Sequence, residues 1–415
     1  MKVLVVGGGG REHTIVWKLS NSPRVDKIYC APGNGGIASL AECVPIKADD
    51  IDGIIQYAKQ IKADLVFIGP DDPLALGLAD ACEDSGIRVF GPRKDEARLE
   101  WSKGYAKNLM RKYGIPTAGY EVYENAEDAI RGLESFRAPY VVKTDGLALG
   151  KGVYITDDQS AAADAIKSIM LDRIYGNSGD HIVIEEFLSG VEMTVLAFTD
   201  GKVIKPMLCS QDHKQAFDGD MGPNTGGMGA FAPSPVYTAD VERECWEKIY
   251  APTMEMLKNE SLNYRGIIYF GLILTGEGVK VIEYNSRFGD PETQVVLPLL
   301  KNDLIDITDA VIDGRLDEIE LEWEDGCCAC VVAASGGYPE KYATGFEVNI
   351  NDDAGALVFH AGTRLENGRF FTSGGRVLGV TAKGGLLAEA VDRAYAAVNN
   401  VSFEGMRYRS DIGRK

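Results

Sequence analysis

Val281-Ile282-Glu283-Tyr284-Asn285-Ser286-Arg287-Phe288-Gly289-Asp290-Pro291-Glu292 is the stretch on which the reading of this chain turns. On a strand, alternate side chains share a face. Glu283 and Asn285 therefore point the same way and offer two hard oxygen ligands to a magnesium ion. Arg287 follows as a fixed cation. A metal held only in part by protein, beside an arginine, suits the charge that builds on a phosphoryl group in transfer. A lone Glu-x-Asn is more often the solvated face of a surface strand. Two lysine-bearing segments upstream, which ask for the same nucleotide, weigh against that reading here.

The richer of them is Lys143-Thr144-Asp145-Gly146-Leu147-Ala148-Leu149-Gly150-Lys151-Gly152-Val153. It differs from a Walker A loop, since three residues rather than four separate Gly146 from Gly150 and Gly152 stands where Ser or Thr is needed. It also joins strand to strand, which leaves a flap with one lysine at its base and one at its tip, able to fold over a polyphosphate. An ordinary glycine hairpin with solvated lysines is the alternative. Ile182-Val183-Ile184-Glu185-Glu186-Phe187-Leu188 runs from a buried strand into an acidic corner. Its backbone could read an adenine edge, and Glu192 could accept from ribose hydroxyls, although acidic strand ends are commonplace.

Near the start, Gly7-Gly8-Gly9-Gly10-Arg11-Glu12-His13 follows an apolar strand and opens a helix, a place where bare amides bind anions. The dinucleotide fingerprint fails. Its last glycine slot holds Glu12 or His13, and no acidic residue ends the second strand at Cys30-Ala31-Pro32-Gly33. A monophosphate fits better, with a purely structural turn as the alternative.

The chain has 415 residues, which suggests roughly three domains at about 150 residues each. The expected division is 1–102, an α/β doubly wound Rossmann-like unit; 103–325, a catalytic region whose residues 117–192 form a small α+β lid; and 326–415, a small mixed α/β unit. Apolar runs at 3–6, 27–30, 65–68 and 88–90 read as buried parallel strands in the first unit. Residues 218–232 read as a Gly/Asn/Pro-rich functional loop. A net charge of −19 argues against a nucleic-acid backbone as partner, though local cations can still bind a small anion. No apolar run reaches the roughly 20 residues of a membrane span, and the N-terminus lacks a signal peptide. Cys327-Cys328-x-Cys330 reads as a buried strand rather than a zinc site, and the eight scattered thiols suit a reducing cytoplasm.

Together the segments resemble the ATP-grasp superfamily, and within it the phosphoribosylamine–glycine ligases, over essentially the whole chain. The motifs are Gly9-Gly10-Arg11-Glu12-His13, Ala31-Pro32-Gly33-Asn34, Asp145-Gly146-Leu147-Ala148, Gly150-Lys151-Gly152-Val153 and Ile184-Glu185-Glu186-Phe187-Leu188. Three more are specific to that family: Ser210-Gln211-Asp212-His213-Lys214, Gly222-Pro223-Asn224-Thr225-Gly226-Gly227-Met228-Gly229 and Arg287-Phe288-Gly289-Asp290-Pro291-Glu292-Thr293-Gln294. The resemblance implies an ATP-grasp fold and ligation of glycine to 5-phosphoribosylamine through glycyl phosphate. ATP and magnesium, with manganese as a substitute, would be required, and the molecule would be a monomer or weak homo-oligomer.

By the same resemblance Lys103 and Lys143 would hold ATP phosphates beneath Gly150, Lys151 and Gly152. Glu185, Glu186, Phe187 and Leu188 would line the adenine pocket, Glu192 would meet the ribose, and Glu283 and Asn285 would bind metal. Arg287 would stabilise the transferring phosphoryl group. Asp212 and the loop with Asn224, Thr225, Gly226 and Gly227 would hold glycine or the amine, with Lys214 on phosphate. Asp290, Pro291 and Glu292 would complete the substrate wall, and the amides of Gly8, Gly9 and Gly10 would cradle the phosphoribosyl group. His213 fits a positioning or structural role at least as well as a general base.

Some positions depart from the family pattern: Gly8 stands for Asn, Asp71 for Glu and Ser286 for Cys, and residues 269–274 carry no carboxylate for a second metal. A phosphotransferase, a non-catalytic nucleotide switch and another ATP-grasp enzyme of the purine pathway remain the rival readings.

Overall fold

The computed structural model describes residues 1–148, 152–351 and 355–414. The first hundred residues form a five-stranded parallel sheet in the order Glu42–Cys43, Lys27–Pro32, Lys2–Gly7, Leu65–Ile68, Val89–Phe90. Its middle strands are apolar throughout because helices such as Gly10–Ser20 and Ile51–Ile61 cover both faces. All four expected strands are present. Glu42–Cys43 is an addition, too short to show as an apolar run.

Residues 120–186 build an antiparallel sheet in the order Tyr120–Tyr123, Ile182–Glu186, Tyr140–Thr144, Val153–Thr156. Helices Ala126–Gly132 and Gln159–Met170 back it, and Val142, Ile166, Ile169, Ile182 and Ile184 form a small core of its own. Below it lies the sheet Ile204–Pro206, Val191–Thr199, Gly266–Thr275, Gly278–Asn285.

A second five-stranded sheet runs Gln211–Asp212, Gly229–Ala232, Cys327–Ala334, Arg376–Gly384, Leu357–His360. Its first two strands come from the region expected to be catalytic and its last three from beyond residue 326, so the two regions share one sheet. The expected loop at 218–232 is therefore corrected. It contains Met221–Asn224, which pairs with Gln215–Phe217 as a hairpin, and the strand Gly229–Ala232. Glycine, proline and alanine hide such strands because β propensity depends on branched and aromatic side chains. Cys327–Ala334 is buried as expected, and all eight cysteines are free. Among the described residues no helix is long and apolar enough to cross a membrane.

Phe288, buried beside Phe67 (ring centroids 6.3 Å) and Phe198 (6.0 Å), plugs the chain just after Arg287 into the core beneath the first sheet. Nearby, the His13 Nδ1 accepts the amide of His360 at 2.7 Å, which joins the first helix to the last region. Burial, helped by His360, holds His13 down at about 3, and burial holds His360 at about 4. Both stay neutral in the fold but would titrate near about 6.5 when unfolded. Their contribution is therefore complete above that pH and is lost as the pH falls towards 4. The urea midpoint is expected to drop between pH 7 and 5, and to drop less in His360→Asn.

Candidate active site

A bulge creates the proposed metal pair. Gly271 opposes Glu283, but its neighbour Leu272 opposes Val281, so Ile282 is an extra residue in the strand Gly278–Asn285. Val279 and Val281 face the core; unbroken alternation would send Glu283 and Asn285 there too. The bulge inverts the parity. Tyr284 then takes the core position, while Glu283 and Asn285 turn into a cleft of about 290 Å³. A Cβ on Gly271 would lie 3.2 Å from the Glu283 Cγ, so glycine leaves that side chain its room. One carboxylate and one amide oxygen fit magnesium bound chiefly through substrate phosphates and water.

Among the described residues four lysines line the same cleft, Lys214 on its floor and three others together. Lys103 and Lys107 lie one helical turn apart on the helix Lys103–Lys112, and Lys143 lies on the strand Tyr140–Thr144. Glu185 joins two of them, with its carboxylate 2.8 Å from the Lys143 Nζ and 3.2 Å from the Lys107 Nζ. Burial pulls Lys107 down to about 8 against the attraction of Glu185. Burial also works against Lys143, but Glu185 and Glu283 outweigh it and leave that lysine above its usual range. Lys103, lowered mainly by burial with Glu283 opposing, donates to the Gly146 carbonyl at 3.3 Å. Asp145 ties the flap's root to this helix through the Gly104 amide (2.6 Å) and Ser102 Oγ (3.0 Å). Glu185, expected at the adenine, lines the cleft with its carboxylate between Lys143 and Lys107. Glu186 and Phe187 are exposed beside Leu188 at the cleft's edge, with Glu192 at the rim.

Arg287 reaches the cleft from the turn after the metal strand. Its Nη2 meets Glu100 Oε1 at 2.9 Å, and Glu100 Oε2 accepts the Ser286 amide at 2.7 Å. Burial pushes Glu100 up to about 7 although Arg287 opposes it. Asp71, also at the cleft, is held below the usual carboxylate range by Arg287 and Arg11 in spite of burial. The Arg287 Nε is buried without a hydrogen-bond partner among the described residues. Ser286 turns away from the metal pair, towards the Ala97 carbonyl.

Opposite lies an acidic floor. Both oxygens of Asp212 accept from Lys214 Nζ at 2.8 Å, and Tyr269 donates to Glu292 Oε1 at 2.9 Å. Burial and Asp212 push Glu292 up to about 7. Asn224, Thr225 and Gly226 line the cleft with Asp290, while Gly227 (φ +111°) packs on Pro291 behind them. His213 does not line it.

The N-terminal glycines stand apart from this cleft, and the expected amide cradle is only partly open. The Gly9 amide donates to Glu12 Oε2 at 2.6 Å, and the Arg11 amide faces Asp290 Oδ2 at 3.4 Å. Gly8 abuts the Gly33 carbonyl, and Gly10 packs on Gln294. Protein carboxylates thus occupy much of this helix start. Gly152 lines the cleft, whereas Gly150 and Lys151 lie outside the described residues.

Sequence reasoning missed Glu100, Lys107 and Tyr269. Only Lys107 left a signal, its four-residue spacing from Lys103.

Models of the phosphoribosylglycinamide synthetase N domain, ATP-grasp (A) domain and C domain match residues 1–100, 101–293 and 328–415. The chain belongs to the phosphoribosylglycinamide synthetase family. A phosphoribosylamine–glycine ligase of Clostridium acetobutylicum is 47% identical over 414 residues, covering 100% of both chains. One of Caldanaerobacter subterraneus subsp. tengcongensis is 48% identical, covering 99% of each. The crystal structure of a phosphoribosylamine–glycine ligase from Thermotoga maritima superposes with a TM-score of 0.86 at 33% identity, over 99% of this chain and 100% of that one. Beyond the family, a biotin carboxylase from Campylobacter jejuni shares the ATP-grasp fold, with a TM-score of 0.76 at 13% identity over 98% and 92% of the two chains.

Proposed function

We infer that this chain uses ATP to join glycine to 5-phosphoribosylamine through glycyl phosphate, releasing glycinamide ribonucleotide, ADP and phosphate. The observation that carries this reading is the meeting of Lys103, Lys107 and Lys143 with Glu283, Asn285 and Arg287 in one cleft. It stands on that geometry together with the family.

A carboxylate is a poor acylating agent. Attack by glycine's carboxylate oxygen on the γ-phosphorus, with ADP leaving, converts it to an acyl phosphate. The amine nitrogen then attacks the acyl carbon, phosphate departs, and the nitrogen loses a proton. Lys103 and Lys143 neutralise ATP phosphates. Glu283 and Asn285 would hold magnesium, or manganese in its place, which would supply charge neutralisation to the transferring phosphoryl group. Arg287 faces the charge that develops on the transferred group. Asp212, Glu292 and the 224–229 loop hold the ammonium and carboxylate ends of the small substrates, and the 117–192 unit shields the acyl phosphate from water.

ADP release with ATP, magnesium and phosphoribosylamine made in situ is expected only when glycine is present. Glycine-independent release with a phosphorylated product would favour a phosphotransferase. ATP binding without turnover would favour a nucleotide switch.

A further inference from the structure

Arg376 opens the strand Arg376–Gly384 in the last region and points its guanidinium at the back of the cleft wall. Its Nη1 donates to the Gly226 carbonyl (2.5 Å) and the Asp290 carbonyl (2.7 Å), with the Gly227 carbonyl at 3.4 Å. Its Nη2 lies 3.3 Å from Asp290 Oδ2. The Gly226 amide in turn donates to the Tyr338 hydroxyl at 3.0 Å. Both polar groups of Gly226 are thus held by residues from beyond position 326.

The fit is close. A Cβ on Gly226 would lie 3.0 Å from the Arg376 Cζ, and one on Gly227 would lie 2.4 Å from the Pro291 Cδ. The loop is pinned a second time where Gly229–Ala232 pairs with Cys327–Ala334, the strand next to Arg376–Gly384. Gly226 and Asp290 line the cleft but Arg376 does not, so any effect of Arg376 on substrate passes through them. A fork of several donors can hold two carbonyls and a carboxylate at once, which a lysine ammonium cannot do in the same geometry.

We propose that Arg376, assisted by Tyr338, is a positioning residue that locks the 224–229 loop against Asp290 and so makes the C-terminal region part of the pocket for the two small substrates. This rests on the reading above that the loop meets glycine or the amine. The nucleotide is held from the opposite side, by Lys103, Lys107 and Lys143, and is indifferent to the clamp.

Arg376→Lys is expected to raise KM for glycine or for phosphoribosylamine about tenfold, with KM for ATP within about twofold of wild type. Tyr338→Phe, which removes one hydroxyl, is expected to raise the same KM a few fold and carries the test if the arginine variant does not fold. Hydrogen exchange at residues 224–229 should quicken in both variants. The proposal is overturned if KM for ATP rises as much as that of the small substrates. It is equally overturned if both small-substrate KM values stay at wild type, whatever the loop's exchange. A wild-type chain that releases ADP without glycine sinks the assigned reaction instead. In that event unchanged loop exchange in Tyr338→Phe overturns the clamp, and quickened exchange supports it.

Discussion

Turnover in Arg287→Ala is expected to fall by about 10²–10³-fold while an unreactive ATP analogue binds within a few fold of wild type. The size follows from what this side chain does and does not hold. Its guanidinium lines the cleft, with one nitrogen on Glu100 and the Nε buried without a partner among the described residues. The adjacent Phe288 is locked in the core independently, so the backbone stays in place. Glu100, already pushed up to about 7 by burial, would take up a proton once its cation is gone, which limits the cost of leaving it buried. Glu100→Gln keeps an oxygen for the Ser286 amide but weakens the hold on Arg287, and should lower kcat about tenfold with KM for ATP little changed. If Glu100 acts through Arg287, adding Glu100→Gln to Arg287→Ala should lower the rate no further. ADP-release kinetics and calorimetric titration measure both halves; an Arg287→Ala enzyme with near-normal rates would remove the arginine from the chemistry.

The second large effect is on stability. Glu185→Ala removes the carboxylate that sits between Lys143 and Lys107 and leaves two buried ammonium groups facing each other, a loss of about 3–5 kcal/mol. Because Lys107 rises from the helix below and Lys143 and Glu185 belong to the overlying sheet, the damage falls where the 117–192 unit is rooted. Nucleotide phosphates can replace the missing charge. Magnesium ADP should therefore raise the melting temperature of Glu185→Ala by more than it raises that of wild type. Equal urea midpoints for the two proteins would show that the lysines find other counter-ions.

How far these features could be read beforehand depends on their range. Strands at 3–6 and 65–68 were legible because burial on both faces writes an unbroken apolar run. That Glu283 and Asn285 share a face was legible because the two lie within three residues of one strand. The direction that pair faces was not. Alternation puts them on one side of the strand, but only the bulge at Ile282 decides which side. Glu100 sits among the charged residues of the helix Lys94–Trp101, and its partner Arg287 lies 187 residues along the chain, beyond the reach of any local pattern. The glycines at 8–10 announced an anion site, yet Glu12 takes the Gly9 amide and Asp290, 279 residues away, faces the Arg11 amide, a contact that no local pattern could announce.

The strand Gly229–Ala232 lies between Gln211–Asp212 and Cys327–Ala334, so the boundary drawn near residue 326 is not a seam along which the molecule can be divided. A split gene broken there would yield two pieces, each ending in a raw row of unpaired peptide groups ready to zip onto any stray ribbon. Fragments made that way should clump when expressed separately and recover only when produced together.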